Sequence, residues 1–166
     1  MPKNTNRFLV SFAIAALSSP MTLSHAADAG SAKGTLTLAG ENKPASVELT
    51  HAYFFIAPDK FDEKKSARTL VFTTADERAT LEACSDTSCA ILSTKDGLTV
   101  ELAEEPMANW WAHIAPMQYS GTAVNALKLS VDKPDRLSGT FKMGESGTGA
   151  MTAVTFDAPL VKIFTK

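Results

Sequence analysis

Beyond residue 26 the chain holds two histidines, an adjacent tryptophan pair and a cysteine pair, and these are the residues whose types and spacing bear on chemistry. His51 lies in the run 47–53, where alternation places it on one face with Val47, Leu49, Tyr53 and Phe55. On a core face its imidazole needs a hydrogen-bond partner; on a pocket wall it, together with Tyr53, is a candidate ligand or base. His113 ends the run Asn109-Trp110-Trp111-Ala112-His113. Adjacent residues of a strand point apart, so Trp111 and His113 share one face while Trp110 and Ile114 share the other. One indole belongs to the core, and the other is a candidate contact for a protein or an apolar ligand. Met107, Met117 and Tyr119 flank this patch, and Pro106 and Pro116 bracket it, which predicts an edge strand or a loop-rich rim.

Several chemistries find no footing. The two histidines stand alone, without H-x-H or H-x-x-x-H spacing, so no metal ligand set and no cofactor is expected. The carboxylate neighbours Asp62-Glu63, Asp76-Glu77 and Glu104-Glu105 diverge on an extended backbone and are not poised as acid–base pairs. The stretch Gly144-Glu145-Ser146-Gly147 faintly echoes a serine-protease nucleophile loop, but the two barrels of that fold do not fit in this length, and G-x-S-x-G is absent. No phosphate-binding glycine motif is present either.

Lys3 and Arg7, the apolar stretch Phe8–Leu17, and small residues at Ser24 and Ala26 have the anatomy of a secretory signal peptide over residues 1–26. Ser18, Ser19 and Pro20 end the apolar stretch well short of the roughly 20 residues a spanning helix needs. The domain reading is therefore a leader at 1–26, a flexible segment at 27–33 and a single β domain at 34–166. It predicts a soluble chain in the periplasm or medium, with no membrane insertion after cleavage. Of 166 residues, 45% are hydrophobic and 20% charged, a globular mix. Loss of Lys3 and Arg7 leaves 14 basic against 18 acidic residues, a net charge of −4 that disfavours nucleic acid and anionic lipid as partners. In an exported chain, Cys84 and Cys89 at C-x4-C spacing predict one local structural disulfide.

Period-two alternation recurs at 34–40, 98–102, 127–131, 137–143 and 154–158, with apolar runs at 47–56, 68–74 and 160–164. Lys95-Asp96-Gly97 predicts a hairpin between Ile91-Leu92 and Leu98, and further turns are expected at 41–44, 132–135 and 144–149. Thr74 with Glu77 makes a capping box, which predicts one short helix over 75–83. The expected fold is all-β: an antiparallel sandwich or barrel of about seven to nine strands with one short helix.

The strand Leu49-Thr50-His51-Ala52-Tyr53, followed by a charged linker and Thr69–Asp76, resembles a loose group of exported bacterial β-proteins of uncharacterised function that carry a His-Ala-Tyr strand. The likeness covers mainly residues 34–82 and departs from the group at Cys84 and Cys89. It implies export and a β-fold, and it carries no activity and no site residue across. The function expected is a non-catalytic binding module for a protein or an apolar small molecule, with His51, Tyr53, Trp110, Trp111 and His113 as contacts. The alternatives are a small hydrolase or metal-binding protein built on His51, and a structural accessory of the cell envelope.

Overall fold

Alternating side chains in short runs separated by tight turns build a sheet that is greasy on one side. The computed structural model describes residues 29–59, 62, 64–102, 106–144 and 149–165. The leader at 1–26, Glu63, the Glu104-Glu105 pair and Ser146 lie outside the described residues. Among those described are ten strands and two short helices: β1 (Ser31–Leu38), β2 (Ala45–Leu49), β3 (His51–Pro58), β4 (Ser66–Thr73), α1 (Arg78–Ala83), α2 (Thr87–Ser93), β5 (Gly97–Leu102), β6 (Met107–Ile114), β7 (Met117–Val124), β8 (Leu127–Lys133), β9 (Arg136–Met143) and β10 (Ala150–Ile163).

The strands form one curled sheet, a half-barrel, in the order β2-β1-β10-β3-β4-β5-β6-β7, with β9 beside β10 and β8 beside β9. Strand β10 joins its two halves. Its first part pairs antiparallel with both β1 and β9, and its end pairs parallel with β3. The expected purely antiparallel sheet is thus corrected to a mixed one, because β10 runs past the start of β1 and continues alongside β3. Gly30 sits at that junction: a Cβ there would meet the Ala52 carbonyl oxygen at 1.7 Å and Pro159 at 2.7 Å, so only glycine lets the three strands approach.

The main core fills the concave side. Leu36, Leu38, Phe54, Leu70, Phe72, Val100, Ala112, Leu137, Phe141 and Phe156 are among its buried residues. Phe72 of β4 meets Phe156 of β10 edge-on at 5.4 Å and Phe141 of β9 at 6.5 Å, which ties the two halves together. A second, smaller core lies on the convex side, where Tyr53, Phe55, Val71 and Phe164 pack under Leu81, Cys84 and Ala90 of the helical segment. Being covered on both faces explains why residues 52–57 read as a continuous apolar run rather than an alternating one.

Two helices stand where one was expected. The capping box does not form: α1 starts at Arg78, with Glu77 at the N-cap making no side-chain bond. Asp76 accepts the Arg78 amide instead, while the Thr74 carbonyl accepts the Thr50 hydroxyl. Helix α2 is capped by Asp86, which accepts the Cys89 amide at 2.9 Å. Ile91 and Leu92 therefore belong to a helix, and Lys95-Asp96-Gly97 joins helix to strand rather than strand to strand. The Cys84–Cys89 disulfide, with Cα atoms 5.5 Å apart, closes the corner between α1 and α2. Lys162 of β10 reaches the Glu82 carbonyl at 2.9 Å and also the Cys84 carbonyl, and its ammonium lies 5.3 Å from the Phe164 ring. A cation at the last carbonyls of a helix opposes their partial negative charge.

Candidate functional site

Strand register decides which of the candidate residues meet. His51 pairs with Thr73, Thr73 with Gly97, and Gly97 with His113, so both histidines lie in one row across β3-β4-β5-β6. The next row runs Tyr53, Val71, Thr99, Trp111. Both rows face the convex side, since Tyr53 and Val71 belong to the convex core. Three strand spacings make the ends of each row about 14 Å apart. The helices stand on the middle of the rows and bury Tyr53 and Val71, so His51 lies on one side of them and Trp111 and His113 on the other.

Trp110 points the other way. It packs at the concave core, and its ring lies over Gly121 of β7, where a Cβ would come within 2.9 Å of the indole. Of the five candidate contacts, Trp110 is therefore a packing residue. Strand β6 is also no edge: it is paired on both sides, by β5 and β7. The cis Ala115-Pro116 peptide turns the chain from β6 into β7.

On the β3 side, the buried Tyr53 phenol donates to Asp76 Oδ1 at 2.5 Å. Burial, then the bond to Asp76, hold the Tyr53 pKa well above its ordinary value of 10. The Tyr53 hydroxyl, followed by the Arg78 amide, holds the Asp76 carboxyl below its ordinary 3.8. A phenol that keeps its proton this firmly is a poor base or nucleophile near neutral pH, so the pair serves as a clasp between β3 and the start of α1. Thr50 spends its single hydroxyl proton on the Thr74 carbonyl, so its Oγ1 accepts from His51 Nδ1 at 2.8 Å. His51 therefore carries its proton on Nδ1 and lies roughly parallel to the Tyr53 ring, 6.4 Å away. Among the described residues, no three His, Cys, Asp or Glu side chains come together in a way that would hold a metal ion.

On the β6 side there is a cleft of about 490 Å³ between α2 and the β5–β7 surface. Ile91, Leu92, Thr99, Trp111, His113 and Gln118 line it. Its far end is the 94–96 connection, which is tied down twice. Asp96 accepts the Ala115 amide at 3.0 Å, and the Lys95 carbonyl accepts His113 Nδ1. A carbonyl only accepts, so His113 Nδ1 is the donor in this bond. Leu92, 81% exposed, stands at the mouth as the most exposed large apolar side chain among those described. The cleft thus combines an apolar wall, an indole, an imidazole and the Gln118 amide. Trp111 and His113 were legible in the sequence; Ile91, Leu92 and Gln118 were not, because α2 and β7 carry no clean periodic signal.

No family model, no curated protein and no solved structure matches the chain. No helix among the described residues is long and apolar enough to cross a membrane. The disulfide is compatible with export.

Proposed function

We propose that this chain is an exported, non-catalytic binding module, working in the periplasm or outside the cell, that takes the apolar part of a ligand into the cleft between α2 and β6. The observation that supports this reading is the Trp111 side chain lining a cleft of about 490 Å³ with Ile91 and Leu92 opposite. That volume is within the range of small-molecule sites, which are lined mainly by apolar and aromatic groups with a few polar ones to orient the ligand. His113 and Gln118 supply those polar groups. The rigid anchoring of the 94–96 connection keeps the cleft open without a ligand, which lowers the cost of ordering on binding.

Intrinsic fluorescence tests this directly. Trp110→Phe leaves Trp111 as the sole indole, and titration with the apolar dye anilinonaphthalene sulfonate should then quench or shift its emission saturably. Trp111→Ala in the wild-type background should abolish dye binding while the circular dichroism spectrum stays native. Equal dye binding by Trp111→Ala and wild type would overturn the assignment of the cleft.

A further inference from the structure

We propose that the chain forms a two-fold dimer by pairing β7 antiparallel with β7 of a second copy, each copy thereby setting its Val124 two strands from Trp111 of the other. The pairing rests on the β7 edge and is independent of what the cleft binds. Three strands have an unpaired side among the described residues: β2, β7 and β8. Exposed edges are normally kept from associating by shortness, charge or proline. Strand β2 is five residues long and carries Glu48, while β8 carries Lys128, Asp132 and Lys133. Strand β7, Met117-Gln-Tyr-Ser-Gly-Thr-Ala-Val124, is eight residues long with no charge and no proline. Alternate residues turn their N–H and C=O groups to β6, and the others face outward without a backbone partner among the described residues.

The exposed apolar side chains identify the occupant. Val124 is 60% exposed and Met107 48% exposed, and the two are cross-strand partners at the far end of β6–β7 from the cleft. An antiparallel pairing centred on Thr122 sets Thr122 against its own mate and Ser120 against Val124 of the second copy. Trp111 already pairs with Ser120. One continuous convex row then reads Trp111, Ser120, Val124 of the second copy, Met107 of the second copy, and the two-fold repeats it. Small Ser120 is all that separates the indole from the incoming valine. The arrangement is isologous, so both open edges are covered by the same contact and each Val124 gains Ser120 of the other copy as a cross-strand neighbour. No like charges meet across the axis, because β7 has none.

Sedimentation of the purified protein at roughly 100 µM should give the dimer mass, since an interface of micromolar affinity is almost fully occupied there. Thr122→Lys and Thr122→Glu, which put like charges on the axis, should each sediment as monomers with native circular dichroism, and an equimolar mixture of the two should recover the dimer. A second measurement reads the register even if a charged variant misfolds. Thr122→Cys should be joined to its mate by a short bismaleimide, whereas Ser120→Cys should not, its mate lying about 14 Å away. A monomeric wild type, or a dimer unaffected by charge at position 122, would overturn the proposal; so would Ser120→Cys crosslinking as readily as Thr122→Cys.

Discussion

Replacing Tyr53 by Phe removes a single oxygen and should change how stability depends on pH. The Tyr53 hydroxyl lies 2.5 Å from Asp76 Oδ1. A hydrogen bond to a charged group contributes about 1.5–3 kcal/mol. Asp76 is exposed and keeps the Arg78 amide at 3.0 Å, so water recovers part of the loss and the net cost at neutral pH should be about 1 kcal/mol. The depressed Asp76 pKa means that its contribution is present above the ordinary value of 3.8 and fades as pH falls through the folded value. The raised Tyr53 pKa works at the other end: its contribution is complete below the ordinary 10 and is lost as pH rises, because the unfolded phenol ionises first. One proton sets a limiting slope of about 1.36 kcal/mol per pH unit. The advantage of wild type over Tyr53→Phe should therefore vanish near one pH unit above the ordinary phenol value, about pH 11, and reverse beyond it. Urea unfolding of both proteins from pH 4 to 11 reads the crossing. A difference that stays constant between pH 7 and 11, or none at pH 7, would refute the clasp.

Asp86→Ala should remove the α2 cap and lower the urea midpoint, with the loss concentrated in the amide-exchange protection of residues 87–93. Gly121→Ala should force the Trp110 indole off the strand, costing about 1–3 kcal/mol and shifting the emission of a Trp111→Phe background in which Trp110 is the remaining indole.

The concave core was readable because its strands obey one period. Leu36 and Leu38, Leu137, Phe141 and Met143, and Val154 and Phe156 all alternate with side chains that face out. The same rule separated Trp110 from Trp111 correctly. It failed where the fold departs from one wet face and one dry face. Strand β7 has Gln118, Ser120 and Thr122 outward and only Gly121 between Tyr119 and Ala123 inward, so no apolar stripe marks it. Helix α2 packs through Ala90 in a serine- and threonine-rich segment, and its Asp96-Gly97 exit imitates a hairpin. The Tyr53–Asp76 clasp spans 23 positions and has no local signature. The parallel β10–β3 contact is equally non-local, set by where β1 begins rather than by any pattern within β10.

Strand β10 gives this molecule a timetable. It follows every other element in chain order, yet it alone bridges β1 and β9 to β3. The early hairpin of β1 and β2 has no sheet to join until residues 150–163 have been synthesised, and the meander from β3 to β7 has one raw flank until then. Loop closure over such separations is slow and entropically costly. A sheet whose bridging strand comes last in sequence cannot join its two halves until that strand has docked.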